Sequence, residues 1–247
     1  MSRRASLDSD SPNLSTIQHL NMLSAIIVAA GASERMGFDK LFAPLGGKPL
    51  VAHTIDAFER TNCVDEILVI GRSDSLGELR KLLGAKTKVR HVIGGGTERH
   101  DSVRIGLDHI DANADFVAVH DAARPLITPE KITRVFEICR EHGAASLAEP
   151  VTDTLKRAND ELIVTESVNR DQLFAMQTPQ IFARKLLLEA YEAVAVKKIS
   201  VTDEVSAVEH LGRKVVLVPN QDFNFKITYP RDFPLAEFVF THRARLP

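Results

Sequence analysis

Two basic side chains, Arg35 and Lys40, follow closely after the apolar run "AIIVAA" at residues 25–30. The loop that holds Arg35, "GASERMG" (31–37), is bounded by glycines. Backbone N–H groups in such a turn can form a concave anion site. Arginine adds a planar fork that matches two phosphate oxygens, and lysine adds a compact charge. These residues predict a site for a strongly anionic ligand, although a plain strand-to-helix turn with two solvated cations explains this loop equally well.

A second loop, "GGGTERHDSV" (94–103), combines three glycines with polar side chains. Glycine lets the backbone approach a ligand closely because no Cβ stands in the way. Ser102 offers a hydroxyl to the polar edge of a ligand, and Arg99 is interpreted as fixing the local geometry. The competing interpretation is a turn in which Thr97 and Glu98 cap the helix that follows.

A third polar loop, "HDAARP" (120–125), follows another apolar run. Asp121 stands at the predicted end of a strand, where a carboxylate can bind Mg²⁺ or a hydroxyl group. Arg124 precedes Pro125, which keeps its backbone out of the helical region. His120 has no partner at metal-ligand spacing and is interpreted as structural.

The composition excludes several other classes of protein. The formal net charge is -2 over 247 residues, so the surface as a whole lacks the excess positive charge that is typical of proteins that bind nucleic acid. No apolar run reaches the ~18 residues that a membrane span needs. The loops contain neither GxGxxG nor a P-loop, which argues against a dehydrogenase. Cys63 and Cys139 have no metal-ligand spacing, and two unpaired thiols predict a reducing, cytoplasmic location.

Short apolar runs alternate with helical periods along most of the chain, which predicts an α/β fold. The alternation favours an open, mostly parallel, Rossmann-like sheet flanked by helices. The carboxyl ends of parallel strands share one edge, so the three polar loops are expected to converge there. The predicted strands are 25–30, 64–71, 88–96, 115–125, 144–151 and 214–220. The predicted helices are 49–61, 75–85, one that starts near Glu98, 129–143, 183–195, 202–212 and 229–244.

Two regions fall outside this alternation. Residues 1–21 are rich in Ser and Asp and are interpreted as a flexible leader, or as the result of a translation start upstream of Met22. A role of this leader in targeting the protein to an organelle remains an alternative. Residues 22–247 are predicted to form a single domain. Between 151 and 180, two short strands around 158–160 predict a protruding hairpin-like β-arm.

Seven motifs that occur in one order resemble the 2-C-methyl-D-erythritol 4-phosphate cytidylyltransferase family of the non-mevalonate isoprenoid pathway. The glycine loop is shared by many nucleotidyltransferases, whereas the set as a whole is specific. The motifs are "AAGASERMG…DK", "GGGTERHDSV", "HDAARP", "PVTDTLKR", "VNRDQLFAMQTPQ", "TDEVSAVE" and "FKITYPRDFPLAEF".

The resemblance implies that the substrate phosphate attacks the α-phosphorus of CTP and that pyrophosphate leaves. By similarity, Arg35 and Lys40 hold the triphosphate, and Arg170 and Lys226 grip the attacking phosphate. Mg²⁺ is expected to be held mostly by phosphate oxygens, with Asp121 as its protein neighbour. The residues that match the cytidine pocket are Ala29, Ala30, Gly31, Gly96, Thr97 and Ser102, and those that match the acceptor site are Asp121, Arg124, Thr154, Thr178 and Thr202.

In the family the arm crosses to a second subunit, so the resemblance implies a homodimer in which Thr154 and Arg170 serve the neighbouring site. Two residues have simpler explanations: Thr202 suits a helix N-cap, and Lys226 suits an edge strand. Two positions also depart from the family pattern. Asp39 stands where the family usually has proline, and Thr97 stands where an aspartate is common.

Other activities on the same scaffold remain open. A ribitol 5-phosphate cytidylyltransferase shares most of the motifs, whereas a molybdenum-cofactor nucleotidyltransferase explains only the first motif. An alternative of another class is a non-catalytic, nucleotide-binding regulatory protein. The cations Arg35, Lys40 and Lys226 argue against such a loss of activity.

Overall fold

A central β-sheet with helices on both faces organises the protein. The computed structural model describes residues 21–31 and 36–243. In chain order, the strands are β1 (Leu23–Ala29), β2 (Pro44–Leu45), β3 (Lys48–Pro49), β4 (Glu66–Gly71), β5 (Val89–Gly94), β6 (Phe116–Asp121), β7 (Ala144–Pro150), β8 (Leu155–Ala158), β9 (Val164–Val168), β10 (Phe174–Ala183) and β11 (Val216–Pro219). The helices are α1 (Leu50–Arg60), α2 (Leu76–Leu83), α3 (Arg99–Leu107), α4 (Pro129–His142), α5 (Arg184–Lys197), α6 (Glu204–Glu209) and α7 (Asp232–His242).

The predicted α/β architecture is confirmed. Within the described residues, seven strands form the main sheet in the order β11-β7-β10-β6-β1-β4-β5. All neighbours pair in parallel except at β10, which runs antiparallel to both β6 and β7. The strands at the middle of the sheet read as continuous apolar runs because helices bury both of their faces.

Strand β10 is the strand of the main sheet that the sequence interpretation missed; the short strands β2 and β3 were not predicted either. The β10 segment "MQTPQ" is polar, yet Gln177, Thr178 and Gln180 are almost fully buried. Their side chains make hydrogen bonds within the protein, which offsets the cost of burying them. The chain therefore returns to the main sheet at Phe174, and the part outside it is narrower than the predicted arm of 151–180.

The predicted hairpin is present as β8 and β9. These strands pair antiparallel in a two-stranded sheet of their own, separate from the main sheet. Leu162 and Ile163, between these strands, and Val164, at the start of β9, expose 86%, 58% and 60% of their surface. An exposed apolar cluster of this kind is typical of a contact surface, but the role of the hairpin in dimerisation stays a prediction.

The core has two parts because successive residues of a strand point to opposite faces. Ile27 packs in one cluster with residues of α1, α2, α4 and α7, whereas Ile26 packs in the other with residues of α3, α5 and α6. Helix α4 shows how local sequence sets these elements. Thr128 caps its N-terminus, and Gly143 ends it with a φ of 82°.

No helix among the described residues is long and apolar enough to cross a membrane. Residues 1–20 of the predicted leader lie outside the described residues, so the leader and the single-domain boundary at 22 stay predictions.

Candidate active site

The sheet topology places a crevice beside strand β1. The chain passes from β1 to β4 and β5 on one side and then returns through β6 on the other. Ligand sites in open α/β sheets form at such a reversal, beyond the carboxyl ends of the strands. Val28 pairs in register with Asp121, so the loops after β1 and β6 start side by side. The predicted convergence of the three polar loops is confirmed.

A first pocket of about 240 Å³ opens at this point, between the loops after β1 and β5. Its charged lining residues are Lys40, Glu98, Arg99, Asp121 and Lys226. All six residues predicted for the cytidine pocket line it: Ala29, Ala30, Gly31, Gly96, Thr97 and Ser102. Arg35 lies outside the described residues, so its predicted role stays a prediction.

At Gly95, close backbone approach shapes the loop beside the first pocket. A Cβ atom there would lie 2.6 Å from both Ala30 Cβ and Ser102 Oγ, which is too close for any other residue to fit without displacement. The Ser102 hydroxyl accepts a hydrogen bond from Gly96 N–H at 3.2 Å and donates to the Glu98 carbonyl at 3.3 Å. Ser102 therefore braces the loop that presents its backbone to the pocket.

The helix-capping interpretation of this loop holds for Glu98 and not for Thr97. Glu98 is the N-cap of α3, and its side chain and that of Asp101 form a reciprocal capping box. Thr97 instead lines the pocket. The same loop thus ends a strand, caps a helix and forms a pocket wall.

A second pocket of about 370 Å³ adjoins the first. It contains four of the five residues predicted for the acceptor site: Asp121, Arg124, Thr178 and Thr202. Asp121, Arg99 and Lys226 line both pockets. Two adjoining pockets that share charged residues suit two ligands that react with each other.

Asp121 is the charged centre between the pockets. Its carboxylate lies 3.0 Å from Lys226 Nζ, 3.3 Å from Arg99 Nε and 3.5 Å from Arg124 Nε. Burial alone would raise the pKa of Asp121, but the Lys226, Arg99 and Arg124 cations hold that pKa well below its usual range. The carboxylate is therefore charged at neutral pH, and the edge-strand interpretation of Lys226 is wrong, since Lys226 lies in a loop at the site.

The lysine predicted to hold the triphosphate is tied to the same loop as Lys226. Lys40 Nζ donates a hydrogen bond to the Ile227 carbonyl at 2.7 Å. The neighbouring Asp39 pairs with Arg72 at 2.7 Å and accepts from Leu41 N–H at 3.1 Å. The departure from the family pattern at Asp39 therefore braces the loop that carries Lys40.

His120 has the structural role that the sequence predicted. It is fully buried, and its Nε2 lies 3.3 Å from the Arg124 carbonyl, which can only accept, so this nitrogen carries the proton. Nδ1 then accepts from the Thr178 hydroxyl at 3.0 Å, whose oxygen accepts from Asp121 N–H at 3.1 Å. Burial lowers the pKa of His120 to about 3, so the ring stays neutral and joins Thr178 to the Asp121 loop.

Arg124 is less available to a ligand than its sequence position suggests. Its guanidinium donates to the carbonyls of Asn224 at 2.9 Å and Met176 at 3.3 Å. These bonds join the loop after β6 to β10 and to the loop that carries Lys226. Arg124 lines the second pocket while holding its walls together.

Sequence interpretation missed the buried polar groups around Gln177. Its side-chain oxygen accepts from both Asn220 and Asn224 at 3.0 Å, and Asn224 also donates to the Thr178 carbonyl. These bonds fix the loop before Lys226 against β10. The sequence shows Gln177, Asn220 and Asn224 only as polar residues, and no local pattern in it predicts that they are buried together.

Thr202 is not the N-cap of α6, because Asp203 takes that position and accepts from Ser206 N–H at 3.0 Å. Thr202 instead bonds to the Ser206 hydroxyl at 3.1 Å and lines the second pocket. Thr154 and Arg170 line neither pocket. Arg170 is exposed and donates to the Thr152 carbonyl at the base of the hairpin.

A mostly parallel sheet with small residues and cations at its topological reversal defines an α/β nucleotide-binding protein. Comparison with known proteins narrows this class. Residues 23–242 match the family described as 2-C-methyl-D-erythritol 4-phosphate cytidylyltransferase. The relatives so named from Alkaliphilus oremlandii and Alkaliphilus metalliredigens are 38% and 39% identical, and the alignments cover 92% and 90% of this chain and 98% and 94% of those proteins.

Solved structures agree with the sequence comparison. A 4-diphosphocytidyl-2C-methyl-D-erythritol synthase from Anaerococcus prevotii superposes with a TM-score of 0.80 at 31% identity, over 90% of this chain and 96% of that one. The 2-C-methyl-D-erythritol 4-phosphate cytidylyltransferase of Thermus thermophilus gives a TM-score of 0.73 at 32% identity, over 88% and 98%. The chain belongs to the 2-C-methyl-D-erythritol 4-phosphate cytidylyltransferase family and is thereby a nucleotidyltransferase.

Proposed function

We propose that this protein transfers the cytidylyl group of CTP to 2-C-methyl-D-erythritol 4-phosphate, releasing pyrophosphate. One observation carries the proposal beyond family membership: the two pockets meet at Asp121 and Lys226. A nucleotide in the first pocket and a sugar-alcohol phosphate in the second would bring their phosphates together at that junction.

The first pocket suits the cytidine end of CTP. Its walls are the loops at Ala29–Gly31 and Gly96–Thr97, where small residues leave backbone groups accessible. Backbone N–H and C=O groups can read the amine and carbonyl of a pyrimidine without long side chains. We propose that Thr97 permits this contact through its backbone, so that its departure from the family pattern leaves selectivity for CTP intact.

The second pocket suits the acceptor. The Thr178 and Thr202 hydroxyls offer hydrogen bonds to a polyol, and Arg124 and Lys226 offer positive charge to its phosphate. Asp121 accepts hydrogen bonds from hydroxyl groups and holds Lys226 at the junction.

The chemistry needs positioning and charge rather than a covalent nucleophile. When the acceptor phosphate attacks the α-phosphorus of CTP in line, negative charge accumulates on groups that are already anionic. Lys40 and Lys226 lie where they can stabilise this charge, and Arg35 is proposed to act with them. Holding the two phosphates against each other supplies a further part of the acceleration.

We propose Mg²⁺ as the cofactor, carried mainly by the triphosphate. Among the described residues, no cluster of three or more acidic, histidine or cysteine side chains could form a metal cage. Asp121 would be the protein ligand, and Lys226 would have to leave its carboxylate to admit the ion. When bound, Mg²⁺ would neutralise charge on the phosphates.

We further propose a homodimer in which the hairpin of β8 and β9 reaches the partner. Thr154 and Arg170 line neither pocket of their own chain, which supports a role in the neighbouring one. The exposed cluster of Leu162, Ile163 and Val164 supplies apolar surface for the contact.

A cytoplasmic location is the last part of the proposal. Cys63 and Cys139 are both free, which suits a reducing compartment. Burial raises the pKa of the Cys139 thiol to about 12, so that thiol is unreactive as well as buried. Cell fractionation with a specific antibody tests this location, and recovery in an oxidising compartment would contradict it.

Pyrophosphate release tests the reaction. With CTP and Mg²⁺, we expect turnover with methylerythritol phosphate and little with ribitol 5-phosphate or without an acceptor. Preference for ribitol phosphate would reassign the acceptor, and no turnover with any acceptor would favour a binding protein. A series of CTP, UTP, ATP and GTP tests selectivity at Thr97.

Subunit mixing tests the dimer. Lys40→Ala and Arg170→Ala each disable one half of a shared site, so mixed dimers should regain some activity that neither parent has. Mixing each variant with itself is the control. Activity no higher than that of the parents would contradict sharing of the site.

Arg170→Ala alone should raise the acceptor KM and leave calorimetric CTP affinity unchanged, because Arg170 is proposed to contact only the acceptor.

A further inference from the structure

The ion pair between Arg99 and Glu204 connects the two pockets, and the ligands proposed for these pockets do not account for it. Arg99 Nη1 and Nη2 donate to the two oxygens of Glu204 at 2.7 and 3.0 Å, while its Nε faces Asp121 at 3.3 Å. Arg99 lines both pockets, but Glu204 lines neither and is fully buried. Burial of a charge costs solvation free energy that an ion-pair partner must offset. Because Glu204 touches no ligand pocket, its charge has to be explained by its partner Arg99.

Glu204 is not needed to hold helix α6 in place. Asp203 already caps this helix, and Gln180 binds its N-terminus twice, by donating to Asp203 at 2.9 Å and by accepting from Val205 N–H at 3.1 Å. These contacts keep α6 on strand β10 without the Glu204 charge. The second contact of Glu204 comes from helix α5, where the Tyr191 hydroxyl donates at 3.0 Å to Oε1, the oxygen that also accepts from Arg99 Nη1.

Arg99, in contrast, depends on Glu204 for its orientation. The bidentate pair occupies the Nη1–Nη2 edge of the guanidinium and leaves Nε for Asp121. Burial alone would lower the pKa of Arg99, but the charges of Glu204 and Asp121 outweigh it and leave the pKa raised. Without Glu204, the Arg99 guanidinium would interact with Asp121 instead. It would then compete with Lys226 for the Asp121 carboxylate.

We propose that Glu204 is a positioning residue that couples the two pockets by holding Arg99 between them. This inference rests on the proposed function, because it concerns how the CTP and acceptor pockets keep their relative geometry. Arg99 is the first residue of α3, at the wall of the first pocket, and Glu204 is the first residue of α6, buried behind Asp203 and Val205, which line the second. The pair therefore transmits a displacement of either loop to the other, and loss of Glu204 affects CTP binding although Glu204 lies on the acceptor side.

The test is CTP affinity in the absence of acceptor, measured by calorimetry on Glu204→Gln. The amide keeps the shape of the side chain and can still accept from Tyr191, but its NH₂ opposes one guanidinium N–H. We expect the CTP dissociation constant to rise about tenfold, within the range of coupling between sites. The acceptor KM should rise as well, and kcat should fall.

Tyr191→Phe is the matched control, since it removes the other partner of Glu204 and leaves the Arg99 pair intact. It should change CTP affinity by less than about twofold, below the range of coupling between sites, because both hydrogen bonds from Arg99 to Glu204 remain. Glu204→Asp keeps the charge on a shorter side chain and should give an intermediate loss. This variant decides the question if the Gln variant does not fold, since unchanged CTP affinity in a folded Glu204→Asp protein counts against the proposal.

Two results would overturn the proposal. Folded Glu204→Gln protein with unchanged CTP affinity would limit Glu204 to a local role at α6, even if the acceptor KM rose. Equal losses in Tyr191→Phe would show that Glu204 acts only as a buried anchor. A wild-type protein that bound CTP but did not use methylerythritol phosphate would refute the proposed acceptor, while the comparison of CTP affinities would still decide the role of Glu204.

Discussion

Replacing Lys226 by methionine should separate catalysis from stability at the junction of the pockets. Methionine keeps most of the length of the side chain and removes its charge. Lys226 contributes positive charge where phosphate groups of both ligands are proposed to meet. Loss of one preorganised group that stabilises developing charge costs ~2.7–4 kcal/mol in the transition state. We therefore expect kcat to fall about 100- to 1,000-fold.

The effect on folding should be much smaller. Lys226 lies 3.0 Å from Asp121 but leaves 39% of its side chain exposed. At that separation the pair is worth about 5 kcal/mol with an effective dielectric constant of 20, and about 1 kcal/mol in bulk water. Solvent screening places the net contribution near the lower figure. Asp121 also keeps Arg99 and Arg124, so the free energy of unfolding should fall by only about 1 kcal/mol.

The assay is pyrophosphate release at saturating CTP and acceptor, with urea unfolding of the same preparations. Lys185→Met, on the exposed part of α5, is the matched control and should leave both quantities near the wild-type values. Lys226→Arg keeps the charge and should retain part of the activity. A kcat for Lys226→Met within about threefold of wild type, well short of the loss of a charge-stabilising group, would refute the catalytic role of Lys226.

Three further perturbations test other parts of the site. Lys40→Ala should lower kcat at least ~100-fold in steady-state assays, through loss of a charge on the triphosphate; near-normal turnover would contradict this role. Gly95→Ala should raise the CTP KM and lower the free energy of unfolding by ~1–3 kcal/mol, because its Cβ would lie 2.6 Å from Ala30, whereas Gly77→Ala has open space and should not. Between pH 7 and 5, His120 becomes protonated in the unfolded chain but stays neutral in the folded protein, where its pKa is about 3. Stability should therefore fall by about 2 kcal/mol as the pH drops, seen as the difference in slope between wild type and His120→Gln in urea titrations; equal slopes would contradict the burial of a neutral ring.

Elements with strong local patterns were predictable from the sequence. The run at β1 is apolar at nearly every position because the strand is covered on both faces. Helix α4 carries its own start and stop signals in Thr128, Pro129 and Gly143. Strand β10 lacked such a signal, because its polar residues are satisfied by partners far along the chain, such as Asn220 and Asn224.

The candidate site was also predictable from the sequence only in part. The six residues predicted for the cytidine pocket lie together because they follow strands of one parallel sheet, whose order of polar loops can be inferred from the chain. The pairing of Arg99 with Glu204 could not be inferred, since the two residues are 105 positions apart and belong to separate motifs. Arg124 was predicted to bind a ligand, and its bonds to two backbone carbonyls became evident only in the folded chain.

The sequence by itself determined the alternation of strands and helices, the small-residue loops at the strand ends and the membership of a nucleotidyltransferase family, because these features depend on neighbours within a few residues or on ordered motifs. Tertiary structure alone decided which charges meet. Asp121 is shared by Lys226, Arg99 and Arg124 because separate loops converge on one buried point, and the energy of a charge depends on its distance to partners and to water rather than on its place in the chain.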